Sequence, residues 1–208
     1  MPTRTRRSRT LRKDTDHKVL GSEFPRVLNE ARAGDDKAWE EIYRSLAPLV
    51  LGYLRARGAR EPEDLTSEVF VAVVKSLDRF KGDEHAFRTW VLTIAHRRLV
   101  DDLRRAAGPV AEEAGLDVPA DAIPTGDVET EALDRLEVSR IRKLLATLSP
   151  DQQDVLLLRI LGDQTIEDVA KIINKRPGAV KALQRRGLAA LRRQLDQPVP
   201  LRRPRTIT

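Results

Sequence analysis

Apolar residues recur at three- and four-residue steps along most of the chain, and no segment alternates singly between turn residues as a strand would. After Glu23, Trp39, Ile42, Tyr43, Leu46, Val50 and Tyr53 trace one stripe, which predicts an amphipathic helix ended by Gly58. Pro62 and the acids behind it open a second helix, with Leu65, Val69, Phe70, Val73, Val74 and Leu77 on its core side as far as Phe80. A polar loop from Lys81 leads into FRTWVLTIAHRRLVDDLRR. There Phe87, Trp90, Val91, Ile94 and Ala95 face a core.

The periodicity stops at residue 106. Pro, Gly, Ala and acids then succeed one another without a repeat, as in a linker. It resumes with Leu133, Leu136, Ile141, Leu144, Leu145 and Leu148, and Ser149-Pro150 predicts the N-cap and first position of the next helix. Two short helices come after Gly162. The expected fold is all-α. Two small helical domains, residues 23–105 and 133–196, are joined by an acidic flexible linker over 106–132, with a basic disordered tail at 1–22 and a second tail at 197–208.

The last sixty residues carry the sharpest local pattern. Two helices that cross closely need a small residue in the first, a turn-permissive residue between them and an apolar anchor in the second. Ala170, Asn174 and Val180 meet that need, because Asn tolerates the left-handed backbone of such a turn. Ile166, Val169, Ile173 and Leu183 supply the core of a helix-turn-helix, and Pro177 sets the entry of its second helix. Lys175, Arg176, Lys181, Gln184, Arg185 and Arg186 then line an outer edge suited to a major groove and its phosphates.

Charge sharpens this picture. Residues 1–21 have a net charge of +5, residues 22–105 balance, residues 106–137 carry −8 and residues 138–208 carry +9. Fields of one sign on this scale steer association with opposite charge, and nucleic acid is the first partner for the positive blocks. The basic tail is either a DNA-tethering arm or a silent extension. With no cysteine, disulfides and thiolate metal sites are excluded. Three unpaired histidines offer no metal set, so no metal or cofactor is expected. Asp64, Glu68, Asp101 and Asp102 do not form the convergent set that a two-metal nuclease requires. No apolar run approaches a membrane span and no secretory leader is visible, so the cytoplasm is expected and membrane insertion is not.

PEDLTSEVFVAVVKSLDRFKGDEHAFRTWVLTIAHRRLVDDLRR resembles region 2 of bacterial RNA polymerase sigma factors, most nearly the extracytoplasmic-function (ECF) group that keeps only regions 2 and 4. The resemblance rests on Asp64, Leu65, Glu68 and Phe70, on Phe80-Lys81-Gly82, and on Phe87, Arg88, Trp90, Val91, Ile94, Ala95, Asp102 and Arg104-Arg105. The unit LSPDQQDVLLLRILGDQTIEDVAKII, with VKALQRR after it, is similar to region 4. Ser67, Arg97 and the Ala182-Leu183-Gln184 run depart from the family's usual residues.

The resemblance implies a non-enzymatic specificity subunit that binds core RNA polymerase, recognises the −35 and −10 promoter elements and helps to melt DNA. It also implies an anti-sigma partner. Asp64, Leu65, Glu68, Val71, Lys75 and Asp78 would meet polymerase. Lys81, Asp83, Glu84, His85, Arg88 and Trp90, with His96, Arg97, Arg98, Arg104 and Arg105, would meet −10 DNA, the loop capturing one unpaired base. Trp90 reads as core or as a stacking platform. Lys175, Arg176, Pro177, Lys181, Gln184, Arg185 and Arg186 would meet the −35 element. The rival readings are a polymerase-independent helix-turn-helix regulator and a DNA-acting enzyme such as a recombinase.

Overall fold

The computed structural model describes residues 20–107 and 143–196, and among these the chain is helical without a strand. Residues 20–22 of the expected disordered tail are ordered, leading into a 3-10 turn at Gly21–Glu23, and Ala106 and Ala107 continue a helix into the expected linker. The rest of both tails, the linker and the stripe from Leu133 lie outside the described residues, apart from Leu144, Leu145 and Leu148. Of these three, Leu145 and Leu148 are buried.

In the N-terminal unit α1 (Phe24–Arg32) precedes α2 (Asp36–Ala56), α3 (Pro62–Ser76) and α4 (Glu84–Ala107). The sequence pattern does not separate α1 from α2, yet α1 is a distinct helix that buries Phe24, Val27, Leu28 and Ala31. Asp35 starts α2 by accepting the Ala38 N–H at 2.8 Å. Gly58, at φ +80°, ends it. Its N–H donates to the Arg55 carbonyl, and the Ala59 N–H donates to that of Leu54, which closes a Schellman turn with Arg57 as the C-cap.

Ile42, Leu46, Val50 and Tyr53 are buried as expected. Tyr43 and Val74 are not, at 47% and 51% exposed. Each sits at the edge of its stripe, about 100° around the helix from a buried neighbour, and faces out. In α4 Phe87, Val91, Leu92, Ala95 and Leu99 form the buried line, while Trp90 and Ile94 are half-buried against it.

The C-terminal unit contains α5 (Pro150–Ile160), α6 (Ile166–Ile172) and α7 (Pro177–Leu195). Ser149 and Gln152 form a reciprocal capping box at α5, with Pro150 in the first turn. Thr165 caps α6 through the Asp168 N–H. Asn174 adopts φ 52°, the left-handed turn its position predicts, and Val180 and Leu183 are buried behind it.

The two units pack together, α4 on α6 and α2 on α5, and their buried residues form one continuous cluster. Gly162 permits the approach. A Cβ there would lie 3.1 Å from Leu92 of α4 and 2.7 Å from the Leu158 carbonyl oxygen.

Candidate nucleic-acid and polymerase interfaces

α7 contains no acidic residue. Val180, Leu183 and Gly187 anchor it, and a Cβ on Gly187 would meet Leu156 of α5 at 3.0 Å. Arg176, Pro177, Lys181, Arg185 and Arg186 are exposed and Gln184 is half-buried. Lys181 and Arg185 are one turn apart, with Gln184 beside them. Lys175 is held back by an ion pair with Asp151 at 2.8 Å. The predicted outer edge therefore forms one basic surface, with Lys175 partly spent inside the unit.

The predicted −10 residues divide into two groups. Lys81, Arg97, Arg98, Arg104 and Arg105 are exposed and Arg88 is half-buried. Arg98 lies 3.6 Å from Glu68 of α3, an exposed pair that contributes little, and Arg105 lies 3.9 Å from the half-buried Asp102. The others have partners within the chain. Asp83 accepts the Ala86 N–H at 2.8 Å and starts α4. Glu84 accepts the N–H groups of Leu20 and Gly21, each at 2.8 Å. His85 bonds to Asp168 of α6 at 2.8 Å. Trp90 stacks on Phe80 with centroids 5.2 Å apart and touches Phe87, so its ring belongs largely to an aromatic cluster.

Along α3, Asp64, Glu68, Val71 and Lys75 are exposed, as is Asp78 in the 3-10 turn after it, whereas Leu65 is 5% exposed and packs inward. A shallow groove between α2 and α3 is lined by Tyr43, Ser67, Phe70, Val71, Val74 and Lys75. Val71 is 52% exposed, and the Tyr43 ring leans on Phe70 at 4.7 Å. Exposed apolar side chains grouped in this way, with Lys75 at their edge, make the groove a candidate contact surface. Tyr43 and Val74 belong to it, although their spacing alone had placed them in the core.

The contact between the units is polar at its centre. The Arg57 guanidinium donates to both oxygens of Asp154, at 2.6 and 3.3 Å, and to Gln153 at 2.7 Å. The Tyr53 hydroxyl donates to Asp154 at 2.7 Å and lies 2.9 Å from Nδ1 of His96. The Arg57 and Asp154 side chains are 7% and 5% exposed. Burial works against the Arg57 charge, but Asp154 outweighs it and raises the pKa above the ordinary value. Burial, helped by the Asp154 charge, pushes the Tyr53 hydroxyl well up. Burial holds the His96 imidazole below its usual value in spite of Asp154.

Further along α4, the Thr89 hydroxyl donates to Gln164 at 2.6 Å. Burial opposes ionisation of Asp168, yet hydrogen bonds from Thr165, His85 and Lys171 together hold its pKa below the ordinary carboxylate range. None of Arg57, Asp154, Gln164 and Asp168 stood out as a functional candidate in the sequence. One signal was available: Asp154 is an acid inserted directly before the apolar run Val155–Leu158, all of it buried.

Residues 42–108 match the Sigma-70 region 2 family and residues 139–191 match the Sigma-70, region 4 family. The ECF RNA polymerase sigma factor ShbA of Streptomyces griseus is 32% identical over 197 residues, covering 89% of this chain and 100% of that protein. SigD of Mycobacterium tuberculosis, also an ECF RNA polymerase sigma factor, is 29% identical and covers 85% of this chain and 86% of its own length. Among solved structures, CnrH in complex with the cytosolic domain of CnrY superposes with a TM-score of 0.61 at 21% identity, over 83% of this chain and 97% of CnrH. The sigma factor RpoE in complex with the anti-sigma factor NepR, from Bartonella quintana, gives 0.59 at 19%, over 77% and 99%. These last two show a shared fold. With both region families matched in order and a relative covered from end to end, the chain belongs to the ECF sigma factors of RNA polymerase.

Proposed function

We propose that this sigma factor divides its work among three surfaces. The groove of Tyr43, Val71, Val74 and Lys75, with Asp64 and Glu68 beside it and Asp78 beyond, docks on core polymerase. The acid-free α7 and the residues leading into it read the −35 element through Arg176, Lys181, Gln184 and Arg185, where Arg suits guanine and Gln suits adenine. The exposed arginines of α4 hold −10 phosphates, and the Lys81–His85 loop meets the unpaired base. His85 is the loop member whose partner leaves when the units part. Asp83 and Glu84 stay bound to backbone in either case.

The observation that carries this reading is the pairing, in one chain, of an acid-free recognition helix with an exposed apolar groove on α3. A free-standing repressor has no need of the groove. The role is that of a specificity subunit, exercised where polymerase works, in the cytoplasm. Among the described residues no helix is long and apolar enough to cross a membrane. Of the two similar solved structures, one holds the cytosolic domain of CnrY and the other the anti-sigma factor NepR, and an anti-sigma protein is the corresponding partner here.

Run-off transcription tests the whole. Core polymerase with this chain should initiate at discrete promoters that core alone ignores, and the free chain should bind those promoters feebly. Tight, specific binding by the free chain with no effect on core polymerase would favour the polymerase-independent regulator instead.

A further inference from the structure

We propose that Arg57, Tyr53 and His96 form a phosphate-binding site for promoter DNA on the N-terminal unit, and that Asp154 occupies it as an internal stand-in. The inference rests on the sigma-factor reading and adds to it a ligand site and a reason for its present occupancy.

The geometry is that of an anion cradle. Arg57 is the C-cap of α2, where the Schellman turn at Gly58 fixes its backbone. Its planar fork meets both carboxylate oxygens of Asp154, and guanidinium groups hold phosphates in the same bidentate way. The Tyr53 hydroxyl adds a third donor, and the His96 ring lies behind it, 3.9 Å from the same carboxylate. All three cradle residues come from α2 and α4. The anion comes from α5, in the other unit.

That anion must leave when the protein works. The −35 and −10 elements are separated by about 25 base-pair steps, or about 85 Å at 3.4 Å per step. The two units cannot span this distance while Thr89 hydrogen-bonds to Gln164 and Arg57 to Asp154. Separation strips Arg57 of its counter-charge and returns a preformed cation, on the unit that meets the −10 element, to a setting with DNA nearby. A phosphodiester replaces the carboxylate with the same charge and offers two non-bridging oxygens to the same fork.

A second contact repeats the pattern. Asp168 of α6 sits on His85, so two carboxylates of the C-terminal unit cover polar groups along one face of α4 and its neighbour α2. His85, Thr89, Leu92 and His96 recur at helical spacing on that face, next to Arg97. The C-terminal unit thus covers part of the DNA-binding side of the N-terminal unit with negative charge.

The test compares Asp154→Asn with the double variant Arg57→Gln/Asp154→Asn. Asp154→Asn leaves the buried Arg57 charge without its carboxylate and the double variant leaves no charge there, so thermal melting of both is measured first to establish that they fold. Each is assembled with core polymerase, and affinity for a promoter fragment is measured across a salt series. Holoenzyme with Asp154→Asn should keep the wild-type salt slope, since the units are already apart. The double variant should bind more weakly, and its slope of log K against log salt should be shallower by about 0.9, the value of one lost phosphate contact on duplex DNA. Arg57→Lys in the Asp154→Asn background should recover most of the slope. Equal slopes and affinities for the single and double variants would overturn the site, leaving Arg57 as an interdomain contact only. Wild-type holoenzyme without promoter-specific binding would overturn the sigma-factor reading itself, an outcome visible before any variant is compared.

Discussion

The Thr89 hydroxyl donates to the Gln164 side-chain oxygen at 2.6 Å, across 75 residues of sequence, with both residues buried. Gln164 in turn donates to the Gly162 carbonyl at 2.8 Å, so its amide is used on both sides. Thr89→Val keeps the shape but leaves that oxygen short of its inter-unit donor, at a cost of about 1–3 kcal/mol to the packed arrangement. The chain has no cysteine, so dyes can be placed at single introduced cysteines, for example at the exposed Lys37 and Arg193. Energy transfer between them should fall in Thr89→Val. Unchanged transfer and an unchanged urea midpoint would mean that the bond contributes nothing to closure.

The same reporter should respond to pH through His96. Tyr53 and Arg57 face this ring from α2, Asp154 and Asp151 act from α5, and Arg97 lies next to it on α4. Its pKa is lowered from 6.5, so the separated or unfolded state takes up a proton more readily than the packed one. Stability of the packed form is therefore complete above 6.5 and declines as pH falls from there toward the lower packed-state value. Asp168 acts in a different window. Its depressed pKa contributes stability that is present above 3.8 and is lost as pH falls further. His96→Gln should abolish the near-neutral response and keep the acidic one; a response that persists unchanged in His96→Gln refutes the assignment.

Docking on polymerase should depend on apolar contact as well as charge. Val71→Asp with Val74→Asp places two carboxylates on exposed positions, where the fold loses little, within about 0.5 kcal/mol each. Core binding measured by fluorescence anisotropy should weaken at least tenfold. Charge reversal at Asp64 and Glu68 should act in the same direction, by disturbing orientation. If all four changes leave core affinity intact, the groove between α2 and α3 serves another purpose.

On α7, Lys181→Ala, Gln184→Ala and Arg185→Ala should separate into two kinds. A residue that reads a base should cost roughly 1–3 kcal/mol and relax preference at one base pair. A residue on phosphate should weaken all sequences alike and reduce the salt slope by about one. Selection from a randomised −35 library distinguishes them, and wild-type preference in every variant would move the recognition surface off this helix.

The helices and the turn at Asn174 were legible because each rests on local chemistry. Ser149 and Gln152 cap, Gly58 ends, Pro177 begins, and Asn174 accepts a left-handed backbone. Stripe edges were less legible. Tyr43 and Val74 fit the apolar period as well as their buried neighbours do, and only the placement of α2 against α3 leaves them outside. The contact between the units was not legible at all. It joins Tyr53 and Arg57 to Asp154 across about a hundred positions, and nothing in the spacing of a lone Asp shows which distant Arg it will meet. The loop residues Asp83, Glu84 and His85 were chosen for their hydrogen-bonding capacity. That capacity is real, but part of it is directed inward, to Ala86, Leu20, Gly21 and Asp168.

Because Arg57 and Asp154 belong to one chain, their contact is indifferent to how much of the protein a cell contains. Polymerase and DNA, by contrast, compete only in proportion to their own concentration. Each 1.4 kcal/mol by which the packed form is favoured therefore lowers the apparent affinity of a partner selective for the open form about tenfold, at every expression level. The contact between the units, with the ion pair as one part of it, sets a threshold of partner availability, so overproducing the protein raises the amount of closed chain in step with the open and leaves their ratio unchanged.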